Sequence, residues 1–582
     1  MSMPSYAQIP QDLHDPDLAP SDNNPPPHDS SLRIYWLAAV VCCGGLLFGY
    51  DSGVIGGVLT FDSFLRDFQY SARDQTQVSA IAVGIQQAGA LAGCLLIWPL
   101  TNRHGRRRAM MLCSAVFCIG VLFEIINSHS LLVFYIGRII CGLGVGGSAT
   151  VSPIYLAEMS PRHLRARLGS GYQFTFTIGI FASYWIDFAL QFRAPTPAQW
   201  QIPLALQLVP GALMGLGMLS LTDSVRWLLA NGHTNAAWTS LLWVRGADNK
   251  NKAGSGSNSP SAVAVEFAEM KRAVDDDNSA TADFHPRELL LRPNLHRIAL
   301  AVFLFVAQQA TGATALAYFG PQFFGLLVGA PDASSTGIGT SEEQSKAEAA
   351  THSLTLLLTG IFGALKVLSC LFFLVFVADR FGRKPLLGLG ALGMAGCMIA
   401  TSILLKSQSI SPPAPAESSS TTTASISPTS IITILLIYTA ITIYNLSWGP
   451  LPWPLTAEFF PTRLRSPGVS LAVASQWASN FVWSSSTPYI LRDLGWATFL
   501  LFGVLDLGIA AVIWVYLPET RGLSLEEVQG VFDGDRGVGH DGCDYGEEET
   551  EGLVRQTSFE GEEDDGEEGR KSDASMHAAG RS

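Results

Sequence analysis

The sequence predicts an all-α, polytopic membrane protein with twelve transmembrane helices in two pseudo-symmetric halves of six. Three observations carry that prediction. Only 15% of the 582 residues are charged and 48% are hydrophobic, whereas soluble proteins are about a quarter charged. The apolar residues gather into twelve runs, each long enough to cross a hydrocarbon core of about 30 Å, which needs roughly 20 helical residues. Two different polar motifs also recur, each at the same place in the first six runs and in the last six.

In chain order, residues 1–33 are Pro-rich and lack the basic start and short apolar core of a cleavable signal, so they read as a disordered cytoplasmic tail. The first half, 34–230, holds spans 35–59, 77–100, 109–127, 131–157, 169–192 and 202–222. Residues 231–292, with "NKNKAGSGSNSPS" and "DDDNSATADFHPREL", form a polar central loop with short helices. The second half, 293–520, holds spans 297–325, 353–377, 385–405, 431–455, 467–490 and 495–517. Residues 521–582 end the chain as an acidic, mostly disordered cytoplasmic tail; positions 533–582 hold sixteen Asp/Glu against five Lys/Arg, which is −11 of the net −13. Such a segment buries too little apolar surface to fold. The remainder is nearly neutral, so the charge implies no nucleic-acid partner. Eight of the nine cysteines fall inside spans without metal-type spacing and read as small buried hydrophobes.

Basic clusters mark the cytoplasmic side. Arg103, Arg106, Arg107 and Arg108 follow span 2, and Arg162, Arg165 and Arg167 follow span 4. Arg380, Arg383 and Lys384 follow span 8, and Arg463 and Arg465 follow span 10. All lie in even-numbered loops, which places both termini and the central loop inside. "NRHGRRR" at 102–108 returns as "DRFGRKP" at 379–385, and "AEMSPRHLRA" at 157–166 returns as "AEFFPTRLRS" at 457–466. The chain is therefore a duplicated six-helix unit, the architecture of a substrate site held between two rocking halves. Arginines at helix ends fork onto neighbouring carboxylates. Glu158 and Glu458 with Arg103, Arg165, Arg380 and Arg465 are accordingly the expected cytoplasmic gate.

One carboxylate, Asp51, stands inside the apolar run "GGLLFGYDSGVIGGVL", and the basic residue within a span of the same half is Arg138. An ionisable group at mid-membrane is costly and marks a functional site by default.

The motifs named above resemble those of the sugar porter family of the major facilitator superfamily, from about Gly44 to Glu527. D-R-x-G-R-[RK] appears at 102–107 and 379–384, and E-x-x-P-x-x-x-R as Glu158, Pro161, Arg165 and as Glu458, Pro461, Arg465. "GRIICGLGVG" at 137–146 and "LPETRGLSLEE" at 517–527 complete the set. The resemblance implies that Asp51 is a proton site with Arg138 as counter-charge, since proton-coupled members carry both. It also implies sugar contacts from Gln173, Gln308, Gln309, Thr314, Trp448, Trp453, Gln476 and Asn480, amides and aromatics suited to hydroxyls and a sugar ring face. Two departures stand out: Thr314 replaces the family Asn, and the motif after span 6 reads "TDSVR" at 222–226, without its prolines.

Lys366 lies mid-way along span 8, where common sugar porters carry an amide. Its alternatives are snorkelling, pairing with Asp506, or binding a carboxylated substrate, and quinate permeases belong to the same family. The expected function is import of a monosaccharide with a proton, by a protein that works as a monomer in the bilayer without cofactor or metal. A quinate or polyhydroxy-acid permease and a non-transporting sugar sensor are the alternatives. Insertions rich in Pro, Ser and Thr resemble those of fungal members and imply the plasma membrane. "GLGVG" at 142–146 reads as a close-packing helix face rather than a nucleotide loop, since no strand precedes it. With no phosphate-binding loop, metal cluster or nucleophile triad in the sequence, ATP is not the expected energy source; the reading is a transporter and not an enzyme.

Overall fold

The computed structural model describes residues 32–246, 260–282, 288–289, 291–328, 341–377, 380–410, 427–460, 462–520 and 532. The tails outside these, and most of the Pro/Ser/Thr-rich loop at 411–426, lie outside the described residues. Those described form helices joined by turns. The first six spans are α1 (Leu32–Val58), α3 (Gln75–His104), α4 (Arg106–Ile125), α5 (Leu131–Met159), α6 (Arg162–Leu190) and the broken pair α7 (Ala198–Leu206) and α8 (Leu208–Leu219), with a short α2 (Asp62–Phe68) after the first. Between the halves run α9 (Val225–Ala230), α10 (Thr234–Arg245) and α11 (Pro260–Ala282).

The last six spans begin with α12 (Arg292–Ala310), α13 (Ala313–Tyr318) and α14 (Gly320–Val328), which together make span 7. Then come α15 (Ser341–Phe372), α16 (Arg383–Ile410), the pair α17 (Pro428–Leu446) and α18 (Pro452–Glu458), α19 (Thr462–Leu494) and α20 (Ala497–Tyr516). All lie within one unit, Met1–Gln529; of the second, Gly530–Ser582, only Phe532 is described.

Three departures from the sequence expectation have physical causes. Span 8 begins at Ser341 instead of 353, because "SEEQSKAEAA" is polar but made of good helix formers, so the helix runs on past the apolar stretch. Its other end, longer than usual for such a span, closes in a π-helical turn at Phe373–Val377, the usual way a helix takes up extra residues. The central loop holds a helix of 23 residues, α11. Its buried Val263, Phe267 and Val274 form one face. Arg245 of α10 grips Glu266 at 2.9 and 2.6 Å, and Trp238 meets Phe267 edge-on at 5.2 Å.

Nine helical segments among the described residues are long and apolar enough to cross a membrane. The three spans not among them are α6, the broken α12–α14 and α19, the ones that carry most of the candidate substrate amides. Large apolar side chains such as Leu96, Trp98, Leu216, Leu368, Leu389 and Val515 are exposed on the outer surface, a patch pattern that fits lipid rather than water.

Packing inside the first half is backbone against backbone. A Cβ on Gly142 would stand 2.2 Å from the Gln86 carbonyl oxygen, and one on Gly146 would stand 2.0 Å from that of Ala90. "GLGVG" is thus the small-residue face on which α5 lies against α3. The halves meet where α3 packs on α19 and α6 on α15. Side-chain hydrogen bonds cross between them at mid-span and toward the end opposite the basic loops: Asn480 to Gln87, Tyr184 Oη to the Ala317 carbonyl at 2.5 Å, and His352 with Thr60 at 3.0 Å.

Candidate functional site: two end clasps and a split centre

At the basic end, each half builds the same clasp. Arg106 Nη2 donates to Glu158 Oε1 at 2.8 Å, and Ser224 Oγ donates to the other oxygen at 2.5 Å. In the second half Arg383 Nη2 donates to Glu458 Oε1 at 3.2 Å and Thr520 Oγ1 to Oε2 at 3.0 Å. A second carboxylate caps the helix that follows each motif. Asp223 accepts from the backbone N–H of Arg106 and Arg107 at 2.9 and 3.3 Å, and Glu519 from those of Arg383 and Lys384 at 3.0 and 3.1 Å. An anion at a helix N-terminus satisfies free N–H groups and complements the dipole. Gly105 is needed here twice over: its φ is +90°, and a Cβ would lie 2.1 Å from Asp223 Oδ2.

Of the expected partners of the glutamates, Arg103 and Arg380 do not take that place. Arg103 and Arg380 are exposed, and the paired arginines are the next in each motif, Arg106 and Arg383. The glycine turn explains the choice, because it starts a new helix and carries the following arginine back toward span 4 or span 10. Arg165, Arg465 and Asp379 fall outside the described side chains. "TDSVR" at 222–226 keeps its acid because Asp223 is the cap.

In the centre of the first half, Asp51 and Arg138 meet as expected: Arg138 Nη1 donates to Asp51 Oδ1 at 3.0 Å. Both are essentially fully buried. Arg138 Nε donates to the Ala82 carbonyl at 3.2 Å, and Nη1 also reaches Glu124 Oε1 at 3.5 Å. Gln86 closes the ring, accepting from Arg138 Nη2 and donating to Asp51 Oδ2. Gln207 Nε2 donates to Glu124 Oε2 at 3.3 Å. Glu124 was not singled out from the sequence, although the rule that marks Asp51, a lone carboxylate in an apolar run, applies equally to "VLFEI". Fully ionised, the two carboxylates and one guanidinium carry −1 away from water. An arginine does not release its proton, so one proton added to a carboxylate makes the buried set neutral and removes an unbalanced charge.

The centre of the second half is built from amides. Gln308 Nε2 donates to the carbonyls of Trp448 and Gly449 at 2.8 and 3.2 Å, where Gly449 and Pro450 between α17 and α18, and Pro452 at the start of α18, leave carbonyls without helical partners. Gln476 Nε2 donates to Gln308 Oε1 at 3.2 Å. One turn along α19, Asn480 Nδ2 donates to Gln87 Oε1 at 3.1 Å and to Tyr318 Oη at 3.2 Å. The amide oxygens of Gln309, Gln476 and Asn480 are buried and accept no hydrogen bond from a described residue. Buried acceptors are costly unless paired, so hydroxyl donors are what this surface suits.

The remaining candidates divide. Thr314 stands against Tyr444 of α17. Gln173 is half-buried on α6. Trp448 is fully buried and its Nε1 donates to the Leu387 carbonyl at 3.0 Å, which fixes the indole toward α16. Trp453 is half-buried with Phe305 edge-on at 5.0 Å. Sequence reasoning passed over Trp477, whose ring lies 5.3 Å from Phe48 of the other half. Lys366 is buried with its Nζ 5.8 Å from the Phe362 ring and has no ion pair with a described residue. The expected partner Asp506 is buried with both carboxylate oxygens unbonded among described residues, so that pair does not form. Asp187, a buried acid in "YWIDFAL", is likewise unbonded and was also passed over.

The family described as "Sugar (and other) transporter" matches residues 37–532. The quinate permease of Emericella nidulans is 29% identical over 520 residues, covering 89% of this chain and 92% of the relative. The MFS-type transporter qa-x of Neurospora crassa is 30% identical over 509 residues, covering 86% and 89%. Among solved structures, a partially occluded inward-open form of the xylose transporter XylE from E. coli aligns with a TM-score of 0.66 at 23% identity, covering 85% of this chain and 100% of that one. The proton:xylose symporter XylE bound to 6-bromo-6-deoxy-D-glucose aligns at 0.65 and 24%, covering 87% and 100%. With repeated clasps, a twelve-span fold and a match across nearly its whole length, this chain belongs to the family of sugar (and other) transporters, multi-pass membrane carriers that are not enzymes.

Proposed function

We propose that the protein is a secondary active transporter that imports a monosaccharide together with a proton by alternating access between its two halves. The observation that carries this reading is the division of labour at mid-membrane. The first half buries two carboxylates around one arginine, a set that one proton neutralises, and the second presents amide oxygens still able to accept from hydroxyls. XylE, a proton:xylose symporter by its description, has the same fold. Contacts between Tyr184 and Ala317 and between His352 and Thr60 hold the end opposite the basic loops shut, and that end is the outer one if the basic loops are cytoplasmic. On the same rule both termini are cytoplasmic. We place the protein in the plasma membrane as a monomer.

A second reading, carriage of a polyhydroxy acid such as quinate, is favoured by Lys366. A buried ammonium calls for an anion, none among the described residues supplies it, and the relatives named above include a quinate permease. The test is uptake of labelled glucose, xylose, galactose and quinate in yeast without its own hexose carriers, with external pH recorded. Sugar entry with alkalinisation, lost in Asp51→Asn, is expected. Entry of quinate alone would transfer the site to Lys366, and substrate binding without flux would make the protein a sensor.

A further inference from the structure

Two consecutive glutamines on α3 join the proton set to the amide set. Gln86 sits inside the ring of Asp51 and Arg138. A guanidinium only donates, so the Gln86 atom facing Arg138 is its oxygen and the atom facing Asp51 is its NH2 group. That orientation is locked, because turning the amide over would set donor against donor. The next residue, Gln87, is buried and points to the other half, where its Oε1 accepts from Asn480 Nδ2 at 3.1 Å. Asn480 in turn donates to Tyr318 Oη at 3.2 Å, and Tyr318 stands beside Ser52, the neighbour of Asp51.

We propose that Gln86 and Gln87 are the positioning residues that couple the proton to the substrate, Gln86 by sensing the charge of Asp51 and Gln87 by passing the change through Asn480 to the second half. This rests on Asp51 being the proton acceptor. Both side chains bonded to Asp51 are donors. A proton arriving on either oxygen therefore meets a donor and weakens the hold of Arg138 or of Gln86. Arg138 has a second anion at 3.5 Å, Glu124, toward which it moves when Asp51 is neutral. Gln86 follows its stronger, charge-assisted partner. With Gly142 lying directly on the Gln86 backbone, no side chain cushions the step, and the Gln87–Asn480 bond one residue on is altered with it. The other titratable groups around Asp51 are Cys141 on α5 and Tyr318 on α13, neither of which stands between Asp51 and Gln86.

The experiment uses the full-length protein in liposomes with an imposed pH gradient, and whichever labelled compound the wild type carries among glucose, xylose, galactose and quinate. Gln86→Met and Gln87→Met are each compared with wild type and with Asp51→Asn. The glutamine variants should exchange labelled for unlabelled substrate across the membrane, which shows that they fold and carry. They should lose accumulation above the outside concentration, and their uptake should no longer change between pH 5 and 8. Wild-type accumulation in both variants, with Asp51→Asn unable to accumulate, would overturn the proposal while leaving the proton site in place. Accumulation surviving in Asp51→Asn would remove the proton reading and this proposal with it. If Gln86→Met fails to exchange, Gln87→Met decides alone, since among the described residues its amide is hydrogen-bonded to Asn480 and not to the proton set.

Discussion

The ends and the centres of the two halves have had different histories. At the basic end the halves agree group for group: arginine to glutamate, hydroxyl to the same glutamate, a second acid capping the next helix, a glycine making room for it. At mid-membrane their main hydrogen-bonded sets differ. One half gathers Asp51, Glu124 and Arg138; the other gathers Gln308, Gln309, Gln476 and Asn480. A clasp that holds spans together serves both halves equally, so duplication preserved it. A proton and a hydroxylated substrate need different chemistry, and the proposed function gives each centre one of the two tasks.

Breaking the charged centre should have the largest effect. Asp51→Asn fixes the site in its neutral form, so uphill accumulation collapses to equilibration, and the fall of wild-type uptake with rising external pH disappears; pH-jump uptake in vesicles measures both. Breaking the amide centre comes next. Gln308→Ala removes an amide proposed to meet the substrate and the oxygen that orients Gln476; for one or two substrate hydrogen bonds lost at about 1 kcal/mol each, the substrate KM should rise roughly fivefold to thirtyfold, read from uptake at graded concentrations.

Lys366→Met sharpens the comparison differently. It removes a mid-membrane ammonium whose cost is about 3 kcal/mol. The purified protein should melt at a higher temperature, and any quinate flux should fall. The smallest effects belong to the clasps. Glu158→Gln should destabilise more than Glu458→Gln, because the side chains of the first pair are 15% and 13% exposed and those of the second 29% and 25%. We expect about 1–2 kcal/mol for the first and under about 1 for the second, by thermal unfolding in detergent. Equal losses would mean that burial does not separate the two clasps.

The spans themselves were legible, because a hydrocarbon core demands a run of apolar residues and such a run is visible without any contact information. So was the pair Asp51 and Arg138, each conspicuous for its charge. Glu124 stood in plain view under the same rule, but it lies near the end of a span, where a carboxylate reads as surface. Which arginine meets Glu158 was not legible: Arg103 and Arg106 are one turn apart in number, and only the backbone turn at Gly105 decides between them. Nor was the fate of Trp448. Sequence marks it as an aromatic on a bend, whereas its indole N–H is spent on the Leu387 carbonyl. Hydrogen bonds to main-chain carbonyls leave no trace in residue identity.

The two unbroken spans less apolar than the rest, α6 and α19, bear on how the chain is made. A helix too polar to leave the insertion machinery unaided must partition into lipid alongside a neighbour that shields its amides. For α19 that neighbour is α3, which begins at Gln75 where α19 begins at Thr462, and for α6 it is α1. The expected outcome is that the second half inserts efficiently only when the first is present. A chain reduced to residues 293–582 would leave its most polar helices stranded, so severing the halves should be read out first as degradation during synthesis and only then as lost transport.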